Sequence, residues 1–414
     1  MRRVLILGAD GFIGRHLAFG LRAKGWSVTA QARNPKRLQA MGFQTLRADL
    51  TDPATHSPAF WSPHLPQGTA LVDAAGLLAG TEPVFRAVHH DAPRAALQAL
   101  HGTALLISAV GTGAETPFAR WRRETEALFA DHCILRPGLV LGETSYGGSS
   151  LLRALAAMPF RLPVVGDGAQ PFNPIHAADL AEVVAECLDI RLRSTWDVGG
   201  PEVITQADLA ARYRSWLGLA PVPPLHLSTP TAMTLGHLGD TLRIGPVSAT
   251  AVAQLQAGVL ADPAPLLARL KTRPRPVSAF LNARPAGTQD LWQARLYLLK
   301  PLIRLTLATL WLASGLLGLT SPATTFAPGL ALPEPHAIAL ARGFGALDLA
   351  LAFALLRNWR PRPIALAQIA LVLAYTAGLT LLAPALWLDP YGGLLKNLPI
   401  LALLLIHLAL VEER

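Results

Sequence analysis

The chain has 414 residues, more than one average domain needs. Its residues are 51% hydrophobic and 15% charged, with mean hydropathy +0.36 and a formal net charge of +9. That composition excludes disorder and argues against a wholly soluble protein. Residues 301–414 hold only seven of the 36 basic and five of the 27 acidic residues, so a charge-rich front precedes an apolar tail.

The first elements read as strand, glycine turn, helix, strand. Val4–Leu7 is a short aliphatic run of the kind a buried parallel strand needs. Gly8-Ala9-Asp10-Gly11-Phe12-Ile13-Gly14 follows, then a helical stretch Arg15–Lys24 closed by Gly25, then a second strand Trp26–Ala32. Glycines in such a turn let the backbone approach a pyrophosphate. The helix start supplies free N–H groups and a positive dipole end. The aliphatic run before Gly8 is too short for a secretory segment, so it reads as the start of a cytosolic domain. Cys133 and Cys187 lie in apolar surroundings without metal-site spacing, and read as reduced thiols. No metal site is expected.

The end of the second strand bears on the cofactor. An acid there would bind the ribose hydroxyls of NAD, but none occurs between Asp10 and Asp49. The chain instead reads Gln31-Ala32-Arg33-Asn34-Pro35-Lys36-Arg37, and an arginine grips a 2′-phosphate in bidentate fashion. The expected cofactor is therefore NADP(H) in preference to NAD(H), through Arg33.

Further motifs follow in order. Asp49-Leu50 is an acid-aliphatic pair. Thr69–Val72 reads as a fourth strand running into Asp73-Ala74-Ala75-Gly76. Leu105–Ser108 reads as a fifth strand. Later come Arg136-Pro137-Gly138 to Gly142, Pro174-Ile175-His176 to Leu180, and Trp196 to Glu202. With the GxxGxxG spacing, these motifs resemble the extended and atypical short-chain dehydrogenase/reductase superfamily, over about the first 200 residues. The front also resembles the nucleotide-binding accessory subunit of respiratory complex I. The resemblance implies a doubly wound parallel α/β sheet. It implies cofactor contacts from Gly8, Asp10, Gly11, Phe12, Ile13, Gly14, Asp49, Leu50, Ala74, Ala75, Gly76 and Pro137. Asp73 stands where the family has asparagine.

Reductases of that family use a tyrosine as general acid, with a lysine four residues later. In the matching segment Phe118 takes the tyrosine position and Arg122 the lysine position. Phenylalanine has no proton to give, while arginine stays charged and suits the nicotinamide ribose. The five tyrosines (Tyr146, Tyr213, Tyr297, Tyr375, Tyr391) have no lysine four residues on, and no lysine lies between Lys36 and Lys271. The usual pair is missing in every register. Ser108, Tyr146, Asp167 and His176 are the candidate substitute acids. Ser108 and His176 follow strand-like segments aimed at the cleft, with strand-end capping and pre-helix hydrogen bonding as the rival roles.

Ile204–Leu217 reads as a helix, Leu219–Pro230 as extended, and 231–270 as helices of a lobe or connector. From Arg269 to Arg304 eight basic residues face one acid, Asp290. A basic belt before apolar spans suits an anionic membrane surface. It lacks the aromatic interleaving of a nucleic-acid site, so no nucleic-acid partner is expected.

The tail contains four apolar stretches of about 301–320, 335–356, 364–383 and 394–411, each near the ~20 residues that cross a hydrocarbon core. Arg295, Lys300 and Arg304 precede the first, Arg357, Arg360 and Arg362 fill the second loop, and Arg414 ends the chain. The positive-inside rule then puts both termini and the nucleotide domain in the cytoplasm. Arg342 and Asp348 lie within the second stretch, six residues apart. This tail resembles the DoxX-like membrane family, of which some members are associated with quinone-linked oxidation. The expected organisation is 1–218 nucleotide-binding domain, 219–296 helical connector, and 297–414 membrane domain. The expected location is a bacterial inner membrane. The expected activity is NAD(P)H-dependent reduction of a quinone- or lipid-like substrate, with a non-catalytic NADP(H) sensor or accessory subunit as the alternative. Membrane lipid, and a quinone or membrane complex, are the expected partners.

Overall fold

The computed structural model describes residues 2–77, 80–113, 115–245, 247–322 and 332–412. Arg414, read above as an inside-facing charge, lies outside the described residues. The chain forms two compact units: Met1–His237 with Pro246–Ala294, and Leu238–Gly245 with Arg295–Arg414.

The first unit is built on a seven-stranded parallel sheet. Its strands are β1 (Arg3–Leu7), β2 (Ser27–Ala32), β3 (Gln44–Arg47), β4 (Thr69–Asp73), β5 (Ala104–Ile107), β6 (Cys133–Pro137) and β7 (Ser194–Val198). Their order is β7-β6-β5-β4-β1-β2-β3, a doubly wound Rossmann-like arrangement with its switch point between β1 and β4. Alternation along β1 explains the two-sided burial. Val4 and Ile6 enter one apolar layer with Leu17, Leu21 and Leu180, while Leu5 and Leu7 enter the other with Trp61, Ala92 and Ala96. The first layer is covered by α1 (Phe12–Ala23) and α3 (Ala177–Asp189). These helices approach closely because Gly20 has no side chain; a Cβ there would stand 2.5 Å from the Ala181 methyl. Between them in sequence lies α2 (Pro117–Leu128), capped by Thr116, whose Oγ1 accepts the Ala119 N–H at 3.1 Å.

The helix expected from Ile204 begins two residues later. Ile204–Thr205 pairs antiparallel with Pro171–Phe172, and α4 runs Gln206–Trp216. Two β-branched residues favour the strand, and the Thr205 hydroxyl caps the helix through the Asp208 N–H at 3.1 Å. Beyond it, Pro224–Leu227 is a strand, and Thr229–Thr241, Ala249–Ala257 and Ala264–Leu267 are helical.

The second unit holds α5 (Thr288–Thr320) from Arg295 onward, α6 (Glu334–Leu356), α7 (Pro361–Leu382) and α8 (Asn397–Val411). Four segments are long and apolar enough to cross a membrane, the last counted from Leu394. The first helix begins thirteen residues before the expected 301 and continues through Pro301. Helices α5 and α6 meet at glycines. A Cβ on Gly345 would stand 3.0 Å from the Gly315 carbonyl oxygen, and one on Gly318 would stand 3.0 Å from the Ala341 carbonyl oxygen. Such small-residue contacts substitute for the hydrophobic driving force that lipid removes. Several buried polar groups of this unit are paired internally, whereas both ring nitrogens of the buried His407 lack a partner among the described residues. Ser314 Oγ and Tyr375 OH donate to the Asp348 carboxylate at 2.6 and 2.9 Å, and Trp311 Nε1 donates to Gln368 at 2.8 Å. Arg342 donates to the carbonyls of Gly318 and Ser321 at 2.9 and 2.8 Å.

Candidate functional site

The turn after β1 sits at the switch point, where the carboxyl ends of the strands open a crevice. Gly8 has φ +70°, and a Cβ on it would stand 2.7 Å from Ala75 Cα. A Cβ on Gly14 would stand 2.2 Å from the Gly8 carbonyl oxygen. Both positions therefore exclude any side chain. Gln31 fixes the turn from beside it: Oε1 accepts the Gly8 N–H at 2.8 Å and Nε2 donates to the Ala48 carbonyl at 2.7 Å. Gly11 caps α1 without a side-chain bond, so the first-turn N–H groups are left for a ligand. Phe12 and Ile13 begin that helix half-buried, and Asp10 is exposed on the turn.

On the β2–β3 side, Arg33 is exposed and Asp49 stands within its field. The Asp49 carboxyl is held below its usual range, chiefly by the Thr51 N–H at 3.0 Å, with Arg33 a lesser cause. Leu50 is buried beside it. Ala74, Ala75 and Gly76 follow β4 and form the opposite wall, and Pro137 ends β6.

Arg122 lies across this wall. It is 6% exposed, its guanidinium donates to the Ala75 carbonyl at 3.1 Å, and a Cβ on Gly76 would stand 2.1 Å from its NH2. Its Nε and other terminal nitrogen are buried without an acceptor. Its guanidinium carbon lies 5.7 Å from the centre of the buried Phe118 ring. Beneath is Asp73, whose carboxyl is pushed up to about 6 by burial, with Arg122 and the Ala75 N–H opposing. His89 accepts the Leu77 N–H at 3.1 Å, and burial followed by the field of Arg122 pushes its imidazole down to about 3.

Ser108 is brought to the same helix but is engaged. Its hydroxyl donates to Glu126 Oε1 at 2.6 Å, and Arg136 grips the same carboxylate at 2.8 and 2.5 Å. Phe118, Arg122 and Glu126 recur every four residues on α2, so one helical face carries all three. Glu126 is the residue that motif reading missed; its i+4 spacing from Arg122 was the available signal. His176 is elsewhere in the unit. It caps α3, its Nδ1 accepting the Ala178 N–H at 3.2 Å and facing the Arg275 guanidinium at 3.1 Å. Its Nε2 faces Glu143 at 3.3 Å, and that contact pulls the Glu143 carboxyl down to about 2. His176 thus joins Glu143, Asp179 and Arg275, a group the motifs did not reveal beyond Asp179. Tyr146 is exposed, and Asp167 accepts the Ala169 N–H in an exposed turn. A cavity of about 350 Å³ opens at the carboxyl ends of β5, β6 and β7, lined by Val110, Thr112, Arg136, Asp197 and glycines.

Three comparisons with known proteins bear on this geometry. Residues 308–405 match the model of the DoxX-like family. The mitochondrial NADH dehydrogenase [ubiquinone] 1 alpha subcomplex subunit 9 of Arabidopsis thaliana is 26% identical over 232 residues, which are 50% of this chain and 55% of that one. The chain thus spans about half the length of that relative. Among solved structures, that of gox2253 is 21% identical with TM-score 0.50, covering 68% of this chain and 95% of the other. UDP-glucose 4-epimerase of Thermus thermophilus, complexed with NAD, is 19% identical with TM-score 0.49, over 71% and 97%. The human epimerase family protein SDR39U1 (isoform 2) with NADPH is 20% identical with TM-score 0.47, over 71% and 98%.

Proposed function

From a Rossmann-like short-chain dehydrogenase/epimerase fold joined to a DoxX-like segment with four apolar helices, we infer a membrane-anchored NAD(P)H-binding oxidoreductase. The nucleotide reading rests on a cradle that fits. Gly8 and Gly14 leave room where any Cβ would collide, and α1 offers uncapped N–H groups. The observation that carries the reading is Arg122, a buried cation with two nitrogens lacking acceptors at the wall of that cradle. A ribose hydroxyl pair beside Ala75 and Gly76 would satisfy it. Arg33, exposed at the end of β2, suits a 2′-phosphate and favours NADP(H) over NAD(H). When bound, the cofactor supplies a hydride equivalent. This chain's residues would hold and orient it: Gly8, Asp10, Gly11, Phe12, Ile13 and Gly14 at the pyrophosphate, Asp49 and Leu50 at the adenine, and Ala74, Ala75, Gly76, Arg122 and Pro137 toward the nicotinamide.

The substrate class follows from the fusion. A nucleotide site on the same chain as four apolar helices suits a quinone- or lipid-like acceptor dissolved in the bilayer. The polar cavity beside Arg136 and Asp197 suits the oxygen-bearing end of such a molecule. Reduction of a quinone draws its protons from solvent and needs no tyrosine. The location we infer is a bacterial inner membrane, with the nucleotide unit and both termini cytoplasmic, because Arg357, Arg360 and Arg362 cluster between the second and third spans.

A second reading is favoured by a specific observation: the Ser108 proton is committed to Glu126, and Phe118 has none. An NADP(H)-binding sensor, or an accessory subunit of a membrane electron-transfer assembly, needs no proton donor. Purified protein in mild detergent, given NADPH and a panel of quinones, tests both. Acceptor-dependent loss of nicotinamide absorbance supports the oxidoreductase. Micromolar binding without oxidation supports the sensor, and absence of binding refutes both. A C-terminal phosphatase fusion active outside the cytoplasm would refute the orientation.

A further inference from the structure

A second cavity, of about 420 Å³, lies at the opposite edge of the sheet from the glycine turn. Its walls come from segments that precede strands: Arg2 before β1, Gly68 at β4, Gly102–Thr103 at β5, His132 before β6 and Arg193 before β7. It therefore belongs to neither the nucleotide crevice nor the cavity beside Arg136.

Its chemistry is cationic and short of acceptors. Arg2 is fully engaged, donating to both oxygens of Asp189 at 2.5 and 2.7 Å and to the Lys24 carbonyl at 2.6 Å. That pairing consumes the acid of the cavity. Arg191 and Arg193 are left, and neither side chain has a protein partner among the described residues. Trp26 lines the cavity at 7% exposure, and its indole N–H is buried without an acceptor. The His132 imidazole is pushed down by burial and then by Arg193, with Asp131 opposing.

The backbone that presents the arginines is strained. Arg191 has φ +52° and Ser194 φ +79°, a region costing of order 1 kcal/mol or more for a residue with a Cβ. The segment is nevertheless pinned: Leu192 N–H donates to Cys187 at 2.9 Å, Ser194 N–H to His132 at 3.0 Å, and Trp196 Nε1 to the Arg193 carbonyl at 2.7 Å. Two free guanidinium groups held at one cavity, with the unsatisfied Trp26 indole N–H in its wall, match the demands of an oxyanion that accepts many hydrogen bonds.

We propose that this cavity binds a phosphate-bearing ligand through Arg191 and Arg193, with Trp26 as a neutral donor. The phosphate belongs either to a soluble ester or to a lipid headgroup. The test is calorimetric titration of the full chain, its nucleotide crevice saturated by NADPH, with inorganic pyrophosphate in zwitterionic detergent. Arg191→Ala with Arg193→Ala should weaken binding at this site at least tenfold and remove one site from the stoichiometry. Arg191→Lys with Arg193→Lys, which keeps charge but loses the bidentate fork, should fall between. Both arginines are exposed, so the double variant should fold. In phosphatidylglycerol nanodiscs, loss of pyrophosphate binding relative to phosphatidylcholine nanodiscs assigns the phosphate to lipid, and unchanged binding assigns it to a soluble ester. No binding in the wild type, or affinity within twofold in the double alanine variant, overturns the proposal.

Discussion

Asp73→Asn should stabilise the protein at neutral and alkaline pH, although it removes a charge facing Arg122. Asp73 ends β4 at 1% exposure, and its Oδ1 accepts the Ala75 N–H at 2.9 Å. Burial pushes its carboxyl from 3.8 to about 6, even with Arg122 pulling the other way. A folded value above the unfolded one means that stability is fully present below about 3.8 and is lost as pH rises through about 6. At about 1.36 kcal/mol per unit, the ionised carboxylate costs about 3 kcal/mol at pH 8 and about 1 kcal/mol at pH 4.5. Asparagine keeps the acceptor for Ala75 and carries no charge. The variant should therefore exceed the parent by up to about 3 kcal/mol at pH 8, with the gap shrinking to about 1 kcal/mol at pH 4.5. Pulse proteolysis of the nucleotide-free full chain across a urea series, in mild detergent at both pH values, reads the difference. An equal or larger gap at pH 4.5, or a variant less stable than the parent at pH 8, would show that burial of the Asp73 carboxylate does not destabilise the fold.

Three further outcomes are expected. Arg122→Ala should weaken NADPH binding by at least tenfold, since charge-assisted hydrogen bonds contribute about 1.5–3 kcal/mol; unchanged affinity in a fluorescence titration would exclude Arg122 from the site. Arg33→Ala should lower the NADPH-to-NADH affinity ratio by about tenfold on the same grounds, and an unchanged ratio removes the basis for the NADP(H) preference. Phe118→Tyr with Arg122→Lys tests the second reading: a protein that does not turn over should keep NADPH binding and gain little oxidation rate. A large gain in rate would show that only the missing pair had silenced it.

The parts of the fold that are local in sequence were legible. Aliphatic runs such as Val4–Leu7 and Leu105–Ile107 mark buried parallel strands because both faces are covered. The glycine spacing is legible because no other residue fits at Gly8 or Gly14. Hydropathy located the tail helices, but not the start of the first at Thr288, whose opening turns are polar and amphipathic. Ile204 was misread because two residues of strand cannot be told from a helix start by periodicity. The environment of Ser108 was not legible, since it depends on β5, α2 and β6 meeting, which no short window contains.

That meeting changes what the absence of lysine means. Removing a tyrosine and a lysine could leave a crevice with its remaining hydroxyl free for proton transfer. Here Ser108 instead donates to a carboxylate that Arg136 holds with two further bonds, and releasing it would strand Glu126 beside Arg136 alone. A buried polar network of this kind is costly to break and gains from being complete. Arg122 completes the same helical face, but with two nitrogens still lacking acceptors. One end of α2 is thus satisfied without a ligand and the other is not. This asymmetry suits a crevice built to hold a nucleotide more than to pass a proton, whether the bound nucleotide is then oxidised by an acceptor in the membrane or only sensed.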